Sequence, residues 1–538
     1  MNNHLLHQLI TVSAARDPQT PALSSQGTTL DYAGLATAVE RFAGAVVAAG
    51  LARSERLAIY LDKRIEFVVS VFGTAAAGGV FVPVNPLLKS DQVAYILADC
   101  DVRMLVTSRD RYYGLRDALT RCPDLHKVVL IDELDDELKA HPQEPWQVIG
   151  WNDLLAEHAR THRVIDTDMT AILYTSGSTG KPKGVVLSHR NMVAGAKSVA
   201  SYLENRPGDR LLAVLPLSFD AGFSQLTTAF ASGATTVLMN YLLPRDVLAA
   251  LDAEKITGLT AVPPLYIQLA ALDWPPSITS HLRYFANTGG RMPRTTLDQL
   301  RAHLPQTKPF LMYGLTEAFR STYLPPDEVD CRPDSIGKAI PNAEILVLRD
   351  DGTECAADEP GELVHRGALV GMGYWNDPAK TAERYKPLPR AADGATNGLV
   401  MPEVAVFSGD TVRRDAEGYL YFIGRRDEMI KTSGYRVSPT EIEEAIHATG
   451  LLSELAAFGV EHPVLGQAII VIGMGNAEVA TVRRACQKAL PAWMQPAVIE
   501  LRDTALPRNP NGKIDRKKLS TEFVNPFAAL ASPESTLP

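Results

Sequence analysis

The chain has 538 residues, 46% hydrophobic and 21% charged, with a formal net charge of −9. That is enough apolar material for several cores, and the length suggests three or four domain-sized units sharing one body. No basic stripe appears, which argues against nucleic acid as the main partner, and no apolar run is long enough to span a bilayer. The leading MNNHLLHQLITVSAARDP lacks a basic stretch followed by an apolar one, so no signal peptide is expected. Five scattered cysteines without a C-x-x-C pair point to reduced thiols and a cytoplasmic protein, not to a disulfide framework or zinc knuckle.

From about residue 28 to 325, short β-branched runs alternate with amphipathic or alanine-rich segments. The runs lie at 56–61, 103–107, 127–131, 211–215, 235–239 and 258–262; helical patterns lie at 65–77, 190–203, 247–255 and 295–303. Alternation of this kind predicts layered α/β sheets. From 336 to about 423 helices thin out and glycine, proline and short strands dominate, which predicts a small β sub-domain within a large N-terminal domain (1–426). Beyond it, Ser438-Pro439-Thr440-Glu441 reads as a helix start, opening a smaller α/β C-terminal domain over 427–538.

Several segments carry chemistry. Thr175-Ser176-Gly177-Ser178-Thr179-Gly180-Lys181-Pro182-Lys183-Gly184 follows a strand-like run at 170–174. Its glycines free backbone N–H groups to face an anion, its hydroxyls add donors, and its lysines add charge, which suits a polyphosphate. It is not a Walker A loop, because Pro182 stands where a magnesium-holding hydroxyl is needed. Tyr313-Gly314-Leu315-Thr316-Glu317 follows an apolar run at 310–312: an aromatic ring for a base, a hydroxyl for a phosphate, a hard carboxylate oxygen for Mg²⁺. Ser408-Gly409-Asp410 offers a carboxylate to ribose hydroxyls, although Asp after Gly is also an ordinary turn. The charged 424–436 segment reads alone as a solvated linker, and Asn509-Pro510-Asn511-Gly512-Lys513 as a tight turn presenting one lysine.

In order and spacing these segments resemble the AMP-forming adenylating superfamily, which includes acyl- and aryl-CoA synthetases, peptide-synthetase adenylation domains and luciferases. The resemblance covers about residues 10 to 520. More narrowly, Tyr241-Leu242-Leu243-Pro244-Arg245-Asp246 and the 315–329 stretch are similar to stand-alone acyl-CoA ligases associated with exosortase-type systems. The resemblance implies ATP and Mg²⁺ as cofactors and the thiol of CoA or of a carrier-protein phosphopantetheine as acyl acceptor. It implies that Thr175, Ser176, Gly177, Ser178, Thr179, Gly180 and Lys183 close on the outer phosphates. Gly289, Gly290 and Tyr313 would border the adenine, Asp410 and Arg425 hold the ribose, Thr316 meet the α-phosphate and Glu317 bind the metal. Lys513 would bridge the acid carboxylate and the α-phosphate. Asp427 falls at the hinge about which the C-terminal domain rotates, and Lys431 and Gly434 would then line a thiol tunnel.

Phe219-Asp220-Ala221 bears on the acid: the pattern resembles amino-acid-activating members, whose Asp pairs with a substrate ammonium, whereas the acyl-CoA ligase likeness leaves a simple fatty acid equally open. The pocket would see Phe219, Asp220, Ala221, Ser224, Met312, Arg320 and Ser321. Arg320 either receives a second anionic group of the substrate or neutralises Asp220, since buried charges need partners. Two departures stand out: Ser408 where Thr is usual, and a long small-residue stretch at 388–403. Transfer of the adenylate to a non-thiol acceptor, and a nucleotide-binding scaffold without catalysis, are the competing readings.

Overall fold

The computed structural model of the protein describes residues 3–136, 138, 144–175, 182–389, 402–426, 428–432, 435–462, 465–509, 512–524 and 526–527. Among these residues three sheets form. In the first, Met169–Thr175, Val80–Pro83, Arg56–Tyr60, Val102–Thr107, Lys127–Leu130 and Gln147–Gly150 run parallel in that spatial order. Lys183–Ser188 and then Gly373–Tyr374 join antiparallel beside Met169–Thr175. In the second, Lys308–Tyr313, Tyr284–Asn287, Gly258–Ala261, Arg210–Ala213, Thr235–Leu238 and Pro21–Ser25 run parallel. The alternating pattern of the sequence is thus realised as two crossover-connected sheets, as parallel strands require.

The helices Ile65–Ala77 and Asp220–Ser232 are buried along nearly their whole length, and their sequences are correspondingly apolar or small all round. Phe223 of the second helix stacks on Phe72 of the first (6.0 Å) and packs against Phe81 of the first sheet (5.2 Å). One continuous core therefore unites both sheets through these helices. Each helix ends on a left-handed glycine, Gly78 and Gly233, where a Cβ would strain the cap.

The predicted β region exists as Ser335–Ala339, Ala343–Leu348, Gly361–Gly367, Val404–Arg414 and Leu420–Arg425, with one short helix, Pro378–Arg384. It does not form a sheet of its own. After a sharp turn at Phe319 the chain returns as Thr322–Leu324, antiparallel to Lys308–Tyr313, and Ser335–Ala339 pairs with that strand and with Leu420–Arg425. The β region is hydrogen-bonded into the second sheet, which leaves that edge of the parallel sheet paired.

The C-terminal domain has a five-stranded sheet of its own, with Gly466–Met474 at its centre, Glu454–His462 along one edge, and the helices Pro439–His447 and Val479–Ala489 packed on it. Ser438 does precede the first of these helices, but its hydroxyl makes no capping bond. It is buried toward Gly424, where a Cβ would meet it at 2.9 Å. Tertiary packing has overridden the local cap. Among the described residues no helix is long and apolar enough to cross a membrane.

Gly195, in the helix His189–Tyr202, lets that helix approach the fully buried Phe319: a Cβ there would lie 2.3 Å from the ring. Gly195→Ala is expected to destabilise the protein by about 1–3 kcal/mol, as overpacking does. Gly114→Ala, in the helix Arg109–Leu119 where a Cβ meets nothing within 4 Å, is expected to stabilise by about 0.4–1 kcal/mol. Urea denaturation of the two variants beside the parent measures both signs.

Candidate active site

The strand Met169–Thr175 and its antiparallel partner Lys183–Ser188 form the stem of the glycine-hydroxyl loop, in register Thr175 to Lys183. Ser176, Gly177, Ser178, Thr179, Gly180 and Lys181 lie outside the described residues. The stem is tightly built: a Cβ on Gly184 would meet Ile172 at 2.6 Å, and the Tyr174 hydroxyl donates to Asp99 at 2.5 Å. Lys183 places its ammonium 5.6 Å from the centroid of the Tyr374 ring, within cation–π range. The Tyr374 hydroxyl in turn donates to Glu317 Oε1 at 2.6 Å. Gly371 N–H donates to the Glu317 carbonyl (2.8 Å), fixing the turn that carries Thr316 and Glu317. Positions 183, 317 and 374 thus form one patch between the two sheets. Tyr374 was not singled out from sequence; its role depends on the two-residue strand Gly373–Tyr374, which no pattern reveals.

Asp410 and Arg425 face each other across the antiparallel strands Val404–Arg414 and Leu420–Arg425, with Nε to Oδ1 at 3.4 Å. The Tyr313 hydroxyl donates to the other Asp410 oxygen. Burial first, then the neighbouring Asp410 charge, raises the Tyr313 phenol far above its ordinary value, so it stays a donor. The Ser408 hydroxyl, standing where threonine is usual, donates to Leu363 O (2.7 Å) and accepts from Asp410 N (3.0 Å), so it still shapes the turn. Gly289, at φ +77°, and Gly290 leave Tyr284–Asn287 beside the point where Tyr313 leaves its own parallel strand. Asn287 Nδ2 holds the Gly290 carbonyl at 2.8 Å. This is the crevice outside the carboxyl ends of parallel strands, the usual ligand position in α/β sheets.

Asp220 opens the helix Asp220–Ser232 and meets Arg320 Nη1 at 3.1 Å, the two side chains being 16% and 3% exposed. Arg320 is aimed there by a γ-turn: Phe319 sits at φ +58°, ψ −53°, and Arg320 N–H donates to Ala318 O at 2.6 Å. Such a turn is rare and strained for a bulky residue, and close packing around Phe319 sustains it. Removing one partner of this buried pair alone is expected to cost about 3–5 kcal/mol, because the other charge is stranded. Arg320 lines a tight crevice of about 10 Å³ together with Ala221, Ser224, Thr228, Tyr284 and Met312. Phe219 precedes the helix, half-buried and outside that lining. Ser321 points elsewhere: its hydroxyl bonds His365 Nδ1 at 3.0 Å, and burial lowers that imidazole to about 4, so it is neutral.

Lys513 stands on a turn closed by Asn509 N–H to Lys513 O (2.8 Å) and by Lys513 N–H to Asn509 Oδ1 (3.1 Å), with Gly512 at φ +77°. Solvent reaches the side chain, yet protein surrounds it on the scale that sets its dielectric environment, as in an open cleft. Desolvation first, then Arg425, lowers its pKa below the ordinary lysine value; Asp220, Asp410 and Glu428 oppose the shift. The C-terminal domain therefore delivers Lys513 to groups of the large domain. A further ion pair between the domains joins Arg291, next to Gly290, to Glu444 of the helix Pro439–His447. Asp427 and Gly434 lie outside the described residues, and Lys431 lies in the strand Ile430–Thr432. Among the described residues no cluster of three or more metal-ligating side chains occurs. A lone Glu317 suits Mg²⁺, which takes one or two carboxylates and completes its shell with phosphate oxygens and water.

The chain is similar to known proteins over nearly its whole length. Residues 10–375 match the family model described as AMP-binding enzyme, and 441–513 that of the AMP-binding enzyme C-terminal domain. An L-proline–L-prolyl-carrier protein ligase of Pseudomonas fluorescens is 29% identical, covering 96% of this chain and 99% of that protein. Bacitracin synthase 3 of Bacillus licheniformis is 28% identical over 96% of this chain, which spans only 8% of that protein's length. The other peptide synthetases matched are likewise spanned over 6–14% of their length. Among solved structures, the O-succinylbenzoate coenzyme A synthetase of Bacillus subtilis with ATP and magnesium aligns with a TM-score of 0.79 at 25% identity, covering 95% of this chain and 99% of that one. An anthranilate CoA ligase in complex with anthranoyl-AMP aligns at 0.83 with 22% identity over 96% of each chain, a likeness of fold.

The electrostatics of the cleft are testable without any substrate. With lysines reductively methylated and followed by NMR, Lys513 is expected to titrate below the surface lysines. Asp220→Asn removes a carboxylate that favours the ammonium and should lower the Lys513 pKa further, whereas Arg425→Gln should raise it. An unmoved Lys513 resonance in both variants would place its ammonium outside the cleft.

Proposed function

The chain belongs to the AMP-binding enzymes, and from that premise we propose that it is an ATP-dependent, AMP-forming acid–thiol ligase. It joins a carboxylic acid to AMP and passes the acyl group to the thiol of CoA or of a carrier-protein phosphopantetheine. A carboxylate oxygen attacks the α-phosphorus of ATP and pyrophosphate leaves. The thiol sulfur then attacks the acyl carbonyl, AMP leaves, and the thiol proton is released.

One observation carries the reading: Lys513, from the far end of the chain, shares a cleft with Arg425, Asp220 and Asp410. Two anions must meet there, and an ammonium in partly desolvated surroundings stabilises the charge of the pentavalent transition state. Asp410, held by Tyr313 and Arg425, presents its carboxylate to the ribose, and Gly289, Gly290 and Tyr313 border the base. Thr316 faces the α-phosphate. Mg²⁺ held at Glu317 supplies positive charge to the phosphates, and Tyr374 keeps that carboxylate oriented. The 175–184 loop and Lys183 close on the leaving pyrophosphate.

For the second half-reaction the C-terminal domain turns about Asp427, withdrawing Lys513 and bringing Lys431 and Gly434 to the adenylate. Few residues need absorb such a motion, and junctions between domains are the usual place. The five cysteines are free, four of them buried, which fits a reducing cytoplasm as the site of action. The narrower likeness to exosortase-associated ligases rests on the 241–246 and 315–329 sequences, and the proposed chemistry does not depend on it.

Lys513→Ala is expected to slow adenylate formation by at least ~10²–10³ while leaving thioester formation from supplied acyl-AMP largely intact. Pyrophosphate exchange reports the first step and thioester release the second; equal loss of both would contradict a lysine that serves only one. Tyr374→Phe should raise the Mg²⁺ concentration needed for half-maximal exchange about tenfold, as loss of a ligand's hydrogen-bond partner does. An unchanged metal requirement would remove Glu317 from the metal site.

A further inference from the structure

We propose that the acid pocket selects a monocarboxylic acid bearing a neutral oxygen acceptor, a carbonyl or hydroxyl, at its far end, and that Arg320 reads that oxygen. The inference rests on the ligase reading above and narrows its substrate. Arg320 is 2% exposed and lines the crevice, and its donors are unevenly used. Nη1 gives its bonds to Asp220 (3.1 Å) and to Phe319 O (3.2 Å). Nε is buried without a partner, and no hydrogen bond engages Nη2 among the described residues. Several other polar groups of that wall are satisfied within it. Ser224 and Thr228 bond each other at 3.3 Å, and Gln225 spans the backbone at Leu212, Leu215 and Thr260. A buried guanidinium edge without a partner is a specific demand for an acceptor.

Charge decides which acceptor. Arg320 and Asp220 cancel within their buried pair, Asp410 and Arg425 form their own pair, and Lys513 answers the two anions that meet at it, the acid carboxylate and the α-phosphate. The ammonium of an amino acid must compete with Arg320 for Asp220. A dicarboxylate sets two buried carboxylates on one guanidinium. A neutral oxygen meets the Nε edge with neither penalty.

The test compares matched straight-chain acids in pyrophosphate exchange: for each skeleton the parent acid, its distal oxo, hydroxy and amino derivatives, and the corresponding dicarboxylic acid. The oxo or hydroxy member is expected to exceed its parent in kcat/KM by roughly 10- to 100-fold, the range of a hydrogen bond to a charged donor. In Arg320→Met combined with Asp220→Asn, which removes both charges together, that preference should vanish, with folding checked by thermal melting in the presence of ATP. Preference for the parent, amino or dicarboxylic member, or a preference that survives the double variant, overturns the inference while leaving the ligase reading in place. If the double variant does not fold, the ranking by the parent enzyme alone decides. Failure of every acid to support exchange would overturn the ligase reading, and this one with it.

Discussion

The structure turns on holding positive charge in a cleft where anions must meet. Arg320, Arg425 and Lys513 gather around it, and like charges in low-dielectric surroundings repel strongly. Two carboxylates make the arrangement tolerable. Asp220 pairs with the buried Arg320, Asp410 pairs with Arg425, and both favour the ammonium of Lys513. Among the described residues the lysine ammonium has no partner fixed by short contact, which fits its proposed role of bridging two incoming anions.

The layered architecture explains how such a cleft can be both rigid and open. The Asp220–Ser232 helix is buried between two sheets, locked through Phe223 onto Phe72 and Phe81, so Asp220 is presented from an element with no freedom to shift. The γ-turn at Phe319 does the same for Arg320, its strain held by packing against Gly195. Lys513, by contrast, sits on a surface turn of a separate small domain that touches the large one through contacts such as Arg291 to Glu444. Rigid groups bind and orient. The group proposed to come and go is carried on the separate small domain.

The same division appears at the phosphate side. Glu317 is fixed from both ends, its carbonyl by Gly371 and its carboxylate by Tyr374, while Lys183 approaches the Tyr374 ring. A hard cation that keeps most of its shell for water and phosphate needs only one well-oriented carboxylate from the protein. A single glutamate there is therefore sufficient and not a deficient site.

The sequence by itself determined the alternation of strands and helices, the glycine-hydroxyl segment at 175–184, the aromatic–glycine–glutamate run after 310, and the order of its chemical segments. These are local properties, written in periodicity and in which residue types tolerate a turn or face an anion. Only the tertiary structure decided that the β region would be stitched into the second sheet, that Ser438 would leave its helix uncapped, and that Ser321 would turn to His365. It also decided the partner of Asp220. From sequence, Asp220 could face a substrate ammonium or Arg320; a hundred residues of chain separate the two, and only a strained turn at Phe319 brings the guanidinium within 3.1 Å. Pairings of that kind depend on desolvation and close approach across the fold, and these quantities do not exist until the chain has packed.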